Sequence, residues 1–231
     1  MAAVIELHSW ATPNGQKVHI MLEETGLPYE IHPIDIGKGD QLKPGFLAIS
    51  PNNKIPAIVD PEGPGGSRLS LFESGAILIY LADKTGRFLP DTREISRYQV
   101  LQWVFFQVGS VGPMLGQAHH FLYYAQERIP YAMERYAREA NRIYGVMNRR
   151  LGAAEFFAGN EYTIADISIY AWTRSVAKQG VNLDDYPHVK RWQEQVGERP
   201  GVQRGMQVLA SEHHELTDEE KKLLFANRNP S

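Results

Sequence analysis

Residues 1–90 predict an α/β domain and residues 91–231 an all-helical one, and three features carry that division. Short strand-like and helix-like segments alternate through the first part, with turn residues between them. From about Glu94 onward helical periodicity is almost continuous, punctuated by Pro113, Pro130, Pro187 and Pro200. Polar Asp91-Thr92-Arg93-Glu94 lies between the two and reads as a linker.

In chain order, Val4–Leu7 predicts a strand and Val18–Thr25 a helix stopped by Gly26. Tyr29–Ile36 is extended, broken by Pro33 and closed by Gly37-Lys38-Gly39. Lys43 to Ile49 suits a short helical turn. Ala57-Ile58-Val59 and Ser67–Leu71 then form a hairpin across Pro61–Gly66. In Ser74–Lys84, Ile77, Leu78 and Leu81 have the spacing of a core-facing helix. The order is β-α-β-(helical turn)-β-β-α. Helices are expected near 94–121, 131–152, 164–178, 188–199 and 201–210. A charged tail from Ser211, ending in Asn227–Ser231, is expected to pack poorly.

Composition removes several functions. Net charge is −3, from 24 basic and 27 acidic residues, so no basic excess exists to neutralise nucleic-acid phosphates. No run approaches the length of a membrane span, and the N-terminus has no signal-peptide pattern, so a cytoplasmic protein is expected. With no cysteine, disulfide scaffolds, thiolate zinc sites and thiol redox chemistry by the protein itself are excluded. His119-His120 and His213-His214 are adjacent pairs that diverge by about 100° on a helix, so no metal site is expected.

Three junctions have two readings each. Thr12-Pro13-Asn14 is a good helix start, with Thr as N-cap and Pro at the first helical position. It is equally a seat for an anion, with a hydroxyl, an amide and a helix N-terminus. If that anion were a thiolate brought by a substrate, the turn would need no nucleophile of its own. Pro56, before the apolar run Ala57–Val59, begins a strand after either a trans or a cis bond. In the cis form the backbone of Ile55 would be offered to an extended peptide ligand. Glu73-Ser74 caps a helix, or binds the ammonium and carboxylate of an amino-acid head group. A fourth motif, Thr163-x-x-Asp166, reads as a structural capping box.

Together "TPNGQK", "SPNNKIPAIVD", "LFESGAILIYLADKTG" and "YTIADIS" resemble the glutathione transferase superfamily, from about residue 4 to residue 210. "DIGKGDQ", "ISPNNKIPAIVD" and "VGPMLGQAHHF" look like its bacterial Nu class. The resemblance implies a thioredoxin-like N-terminal domain (β-α-β-α-β-β-α), an all-helical C-terminal domain and a homodimer. It implies that Thr12 and Asn14 hold the sulfur of glutathione. The backbone of Ile55, before a cis Pro56, would pair with the cysteinyl unit, and Glu73 and Ser74 would bind the γ-glutamyl head. Gln41 and Lys54 would lie near the glycyl end. Arg135, in "YAMERY", would approach a second glutathione or the disulfide, between the domains. Trp10-Ala11 before Thr12 departs slightly from the family pattern. The implied activity is glutathione-dependent reduction of small organic disulfides, with glutathione as cosubstrate, one or two molecules or its disulfide per site. The alternatives are conjugation of glutathione to electrophiles, or non-catalytic glutathione binding by a regulator. Phe105, Phe106, Tyr123 and Tyr131 are divided by sequence neither to a cleft nor to the core.

Overall fold

The computed structural model describes residues 4–212 and 214–225. The chain divides into two compact units, Met1–Leu81 with Pro200–Ser231, and Ala82–Arg199. Among the described residues no helix is long and apolar enough to cross a membrane.

The first unit holds a four-stranded mixed sheet in the order β2-β1-β3-β4: β1 (Ile5–Ser9), β2 (Tyr29–Pro33), β3 (Ala57–Asp60) and β4 (Leu69–Phe72). β1 runs parallel to β2 through the connecting helix α1 (Pro13–Thr25), while β3 and β4 are antiparallel additions. This is the thioredoxin-like arrangement. Ile5 and Leu7 of β1, Ile58 of β3, Val18, Met21 and Leu22 of α1, and Ile77, Leu78 and Leu81 of α3 (Ser74–Thr85) are buried. The short α2 (Pro44–Leu47) contributes Phe46. Gly26 ends α1 in the left-handed region, φ 72°, its N–H returned to Leu22 O at 2.9 Å.

The helix α9 (Pro200–Gln207) belongs to this unit too, where the sequence pattern grouped it with the C-terminal helices. Its glycines explain the docking. A Cβ on Gly205 would stand 2.5 Å from Ile20 Cα, and one on Gly201 would stand 2.8 Å from the Glu24 side chain. Only a helix with bare backbone at i and i+4 approaches α1 so closely. Arg204 closes the contact on Glu23, Nε to Oε2 at 2.7 Å, and Tyr29 donates to Glu23 Oε1 at 2.7 Å.

The tail packs sparsely, as expected: none of its described side chains is buried. A capping box forms at Thr217-x-x-Glu220, where Thr217 N donates to Glu220 Oε2 at 2.7 Å and Glu220 N to Thr217 Oγ1 at 3.3 Å. It starts α10 (Asp218–Phe225), and Leu223 lies against Gly39. Asn227–Ser231, and His213 of the second histidine pair, lie outside the described residues.

The second unit is helical: α4 (Ile95–Phe106), α5 (Gly112–His119), α6 (Pro130–Ala153), α7 (Ile164–Tyr170) and α8 (Pro187–Gly197). Wide π turns at Gln107–Val111 and His120–Tyr124 carry the first of these through residue 124, past Pro113. A wider turn relieves the clash and the lost donor that proline brings to a helix interior. The segment expected as one helix over 164–178 instead changes to 3₁₀ geometry over Ala171–Gln179, with Ser175 outside helical dihedrals.

Thr163-x-x-Asp166 is the capping box expected. It is also a hub, because fully buried Asp166 accepts from Thr163 N at 3.0 Å, Phe157 N at 3.1 Å and Trp192 Nε1 at 2.8 Å. Asp166→Ala leaves these donors without an acceptor and is expected to cost about 3–5 kcal/mol, against about 1 kcal/mol for Thr163→Ala. Gly205→Ala is expected to cost about 1–3 kcal/mol through overpacking. Urea unfolding of the three variants checks all of these, as shifts in midpoint at constant slope.

Candidate active site

Sheet register gathers the candidate residues. His8 pairs with Ala57, and Ala57 pairs with Phe72, so one row of residues crosses β1, β3 and β4 near one end of the sheet. At that end β1 runs out toward Thr12, β3 is entered from Ile55 and Pro56, and β4 runs out toward Glu73 and Ser74. β2 leaves there as well, since Ser9 pairs with Pro33, and its exit loop leads to Gln41.

Thr12 is the N-cap of α1, with extended backbone and Pro13 at the first helical position. Its Oγ1 accepts from Gly15 N at 3.4 Å. That bond uses a lone pair of the hydroxyl, so the hydroxyl proton remains available to a ligand. Asn14 follows in the first turn, half-buried like Thr12. The turn is so tight that a Cβ on Gly15 would clash with Trp10 O.

The Ile55–Pro56 bond is cis. Ile55 is half-buried and Lys54 exposed, while Lys54 O accepts from Ser50 Oγ at 2.8 Å. Glu73 has φ 69°, the left-handed region, between β4 and α3. A non-glycine residue held there carries a local cost of about 1–3 kcal/mol, which Asn53, Phe88 and Leu209 share. The exposed carboxylate of Glu73 accepts from Asn52 Nδ2 at 3.5 Å, which joins the Ser50–Pro56 segment to the β4–α3 junction.

A lysine overlooked in the sequence joins α1 to the same junction. Lys17 is 2% exposed, and its Nζ donates to Ser74 Oγ at 3.2 Å. Burial lowers its pKa to about 7, with Glu73 pulling weakly the other way. The signal was present: Lys17 stands three and four residues before buried Ile20 and Met21, within the apolar stripe of α1. Two residues on, His19 faces Ser9 Oγ at 2.8 Å, and burial holds its pKa near 4.

Two further predicted residues lie on other elements. Buried Gln41 donates within its own loop, Nε2 to Ile36 O at 3.3 Å, and its Oε1 is buried without a hydrogen-bond partner. Arg135 is exposed on α6, in the other unit. Of the four aromatics left undivided by sequence, Phe106 packs edge-on against Trp103, whereas Phe105, Tyr123 and Tyr131 are exposed. His119 stacks on Tyr124 and His120 packs on Phe121, which makes both packing residues.

Among the described residues, Glu6, His8 and His32 bring potential metal-ligand atoms within 4.8 Å of one another. The two imidazoles stack at 4.7 Å with 15° between their planes. No single ion lies in both ring planes in that arrangement. A cleft of about 330 Å³ beside His8, lined also by Ile34, Asp40, Lys43 and Phe46, contains none of the candidate residues.

Residues 11–85 match the family described as glutathione S-transferase, N-terminal domain, and residues 111–200 match glutathione S-transferase, C-terminal domain. The chain is 52% identical to the disulfide-bond oxidoreductase YfcG of Escherichia coli, over 86% of this chain and 93% of that one. Among solved structures it resembles a glutathione transferase family member from Pseudomonas fluorescens with two glutathione bound, at 48% identity and TM-score 0.85, covering 88% and 92% of the two chains. A Pseudomonas putida glutathione transferase with one glutathione disulfide bound per subunit is similar at 45% identity and TM-score 0.85, covering 89% and 92%.

Glu73 makes a testable case of local strain. Glu73→Gly removes a left-handed penalty of about 1 kcal/mol and adds a comparable entropy to the unfolded chain. Its thermal midpoint is therefore expected to equal or exceed that of the parent, while β-branched Glu73→Val is expected to lower it clearly in the same melting experiment.

Proposed function

Because the chain belongs to the glutathione S-transferase family in both its N-terminal and C-terminal domains, we propose that it is a glutathione-dependent disulfide-bond oxidoreductase acting on small organic disulfides. The observation that carries this is its likeness, along nearly the whole length, to a disulfide-bond oxidoreductase. The lack of any cysteine supports it, since the reacting sulfur then has to come with the ligand.

In this reading Thr12 donates its hydroxyl proton to the glutathione sulfur while its lone pair caps α1. Asn14 and the N-terminus of α1 add to the field that favours the thiolate. Glu73 takes the ammonium of the γ-glutamyl head, and Ser74 its carboxylate. The backbone of Ile55 pairs with the cysteinyl unit, and Gln41 and Lys54 face the glycyl end. Arg135 serves a second glutathione. The thiolate attacks one sulfur of the substrate disulfide, forming a mixed disulfide and expelling the other half as a thiolate that takes a proton from solvent. A second glutathione, also as thiolate, attacks the glutathione sulfur of the mixed disulfide and releases the remaining substrate thiol. Glutathione disulfide is the product, and two glutathione molecules are oxidised for each disulfide reduced. We place the protein in the Nu-class branch, as a cytoplasmic homodimer.

The test is reduction of 2-hydroxyethyl disulfide by the purified protein with glutathione. Thr12→Ala removes one hydrogen bond to a charged sulfur, so kcat/KM is expected to fall about 10- to 100-fold. Thr12→Ser is expected to retain most of the rate. Faster turnover of 1-chloro-2,4-dinitrobenzene than of the disulfide would replace this reading with conjugation, and binding without turnover of either would replace it with a regulator.

A further inference from the structure

Lys17 is a full cationic side chain enclosed beneath the β4–α3 junction, 2% exposed, and its Nζ hydrogen bond runs to Ser74 Oγ at 3.2 Å. Glu73 is the charged group whose field reaches it, from an exposed carboxylate. Along α1, His19 is turned to Ser9 and kept neutral near pH 7 by burial, and Glu23 is taken up by Arg204 and Tyr29. Burial makes this amine a poor cation and lowers its pKa to about 7, against the opposing field of Glu73.

We propose that Lys17 is the buried counter-charge of the ligand's γ-glutamyl carboxylate, reached through Ser74 Oγ, and that ligand binding protonates it. This rests on the reading given under Proposed function. Ser74 Oγ accepts from Lys17 Nζ and retains its own proton to give to a carboxylate. The carboxylate then sits one hydroxyl away from the amine, in a site where solvent screens little, and favours the ammonium form. Lys17 is thus a positioning residue. It acts on the ligand through Ser74 and makes the site selective for a head group that carries a negative charge.

The sign of the pH dependence follows. Free Lys17, with its pKa about 7, is roughly nine-tenths protonated at pH 6 and roughly one-tenth at pH 8. Binding a carboxylate raises that pKa, so the ligand draws in few protons at pH 6 and nearly one at pH 8. The contribution of Lys17 to affinity is complete below the free pKa and is lost as pH rises through the bound one.

Calorimetric titration of the full-length protein with glutathione disulfide, which has no thiol to ionise, in buffers of different ionisation enthalpy reads the protons directly. Wild type is expected to take up more protons than Lys17→Met, by about 0.9 per head group at pH 8 and about 0.1 at pH 6. Uptake by the ligand's own amine beside Glu73 is common to both and cancels. Lys17→Met is also expected to bind about tenfold more weakly at pH 6. Ser74→Ala, which keeps the lysine and removes the link, is expected to lose most of the uptake. Wild-type uptake below about one half at pH 8, or equal uptake in wild type and Lys17→Met, overturns this inference and leaves glutathione binding standing. Absence of binding by either glutathione or its disulfide overturns both.

Discussion

The row His8, Ala57 and Phe72 decides where the rest of the N-terminal unit goes. Pairing of three strands at one level means that their loops begin at one level too. The helix start at Thr12, the cis bond before Pro56 and the turn at Glu73 are thereby placed at the same end of the sheet, although up to 61 positions separate them along the chain, from 12 to 73. A slip of one residue in β3 would move Pro56 by one position and exchange the faces of Ala57, Ile58 and Val59. β3 is buried along its whole length, so both of its faces are covered.

Given that placement, the local chemistry serves two purposes at once. A hydroxyl has lone pairs and a proton. Thr12 uses the former on Gly15 N and Ser74 on Lys17 Nζ, and each keeps the latter. At Thr12 the capping bond leaves the hydroxyl proton over, so capping does not use up the side chain; Ser74 is instead the first residue of α3, with its hydroxyl turned to Lys17. Glu73 holds its left-handed φ while its carbonyl accepts from Ile77 N at 2.9 Å at the start of α3 and its carboxylate accepts from Asn52.

Much of the architecture was legible beforehand. β1 to β4, α1, α3, α6 and α8 lie close to where periodicity and turn residues put them, and the Thr163–Asp166 box has the expected partners. What was missed depends on approach between distant segments. Gly201 and Gly205 look like weak helix residues in isolation, yet they let α9 lie on α1. Asp166 looks like a cap, yet Trp192 and Phe157 also depend on it.

The sequence by itself determined the order of the elements, the capping chemistry at each junction and the absence of a protein thiol, because these depend on residues within a turn of one another or on composition. The tertiary structure alone decided that Lys17 is enclosed against Ser74, that α9 joins the first unit, and that three junctions meet at one end of the sheet. Each of these is a contact across a long stretch of chain. Such contacts are set by which buried surfaces fit; the local pattern puts Lys17 on the buried stripe of α1 but does not encode its partner Ser74.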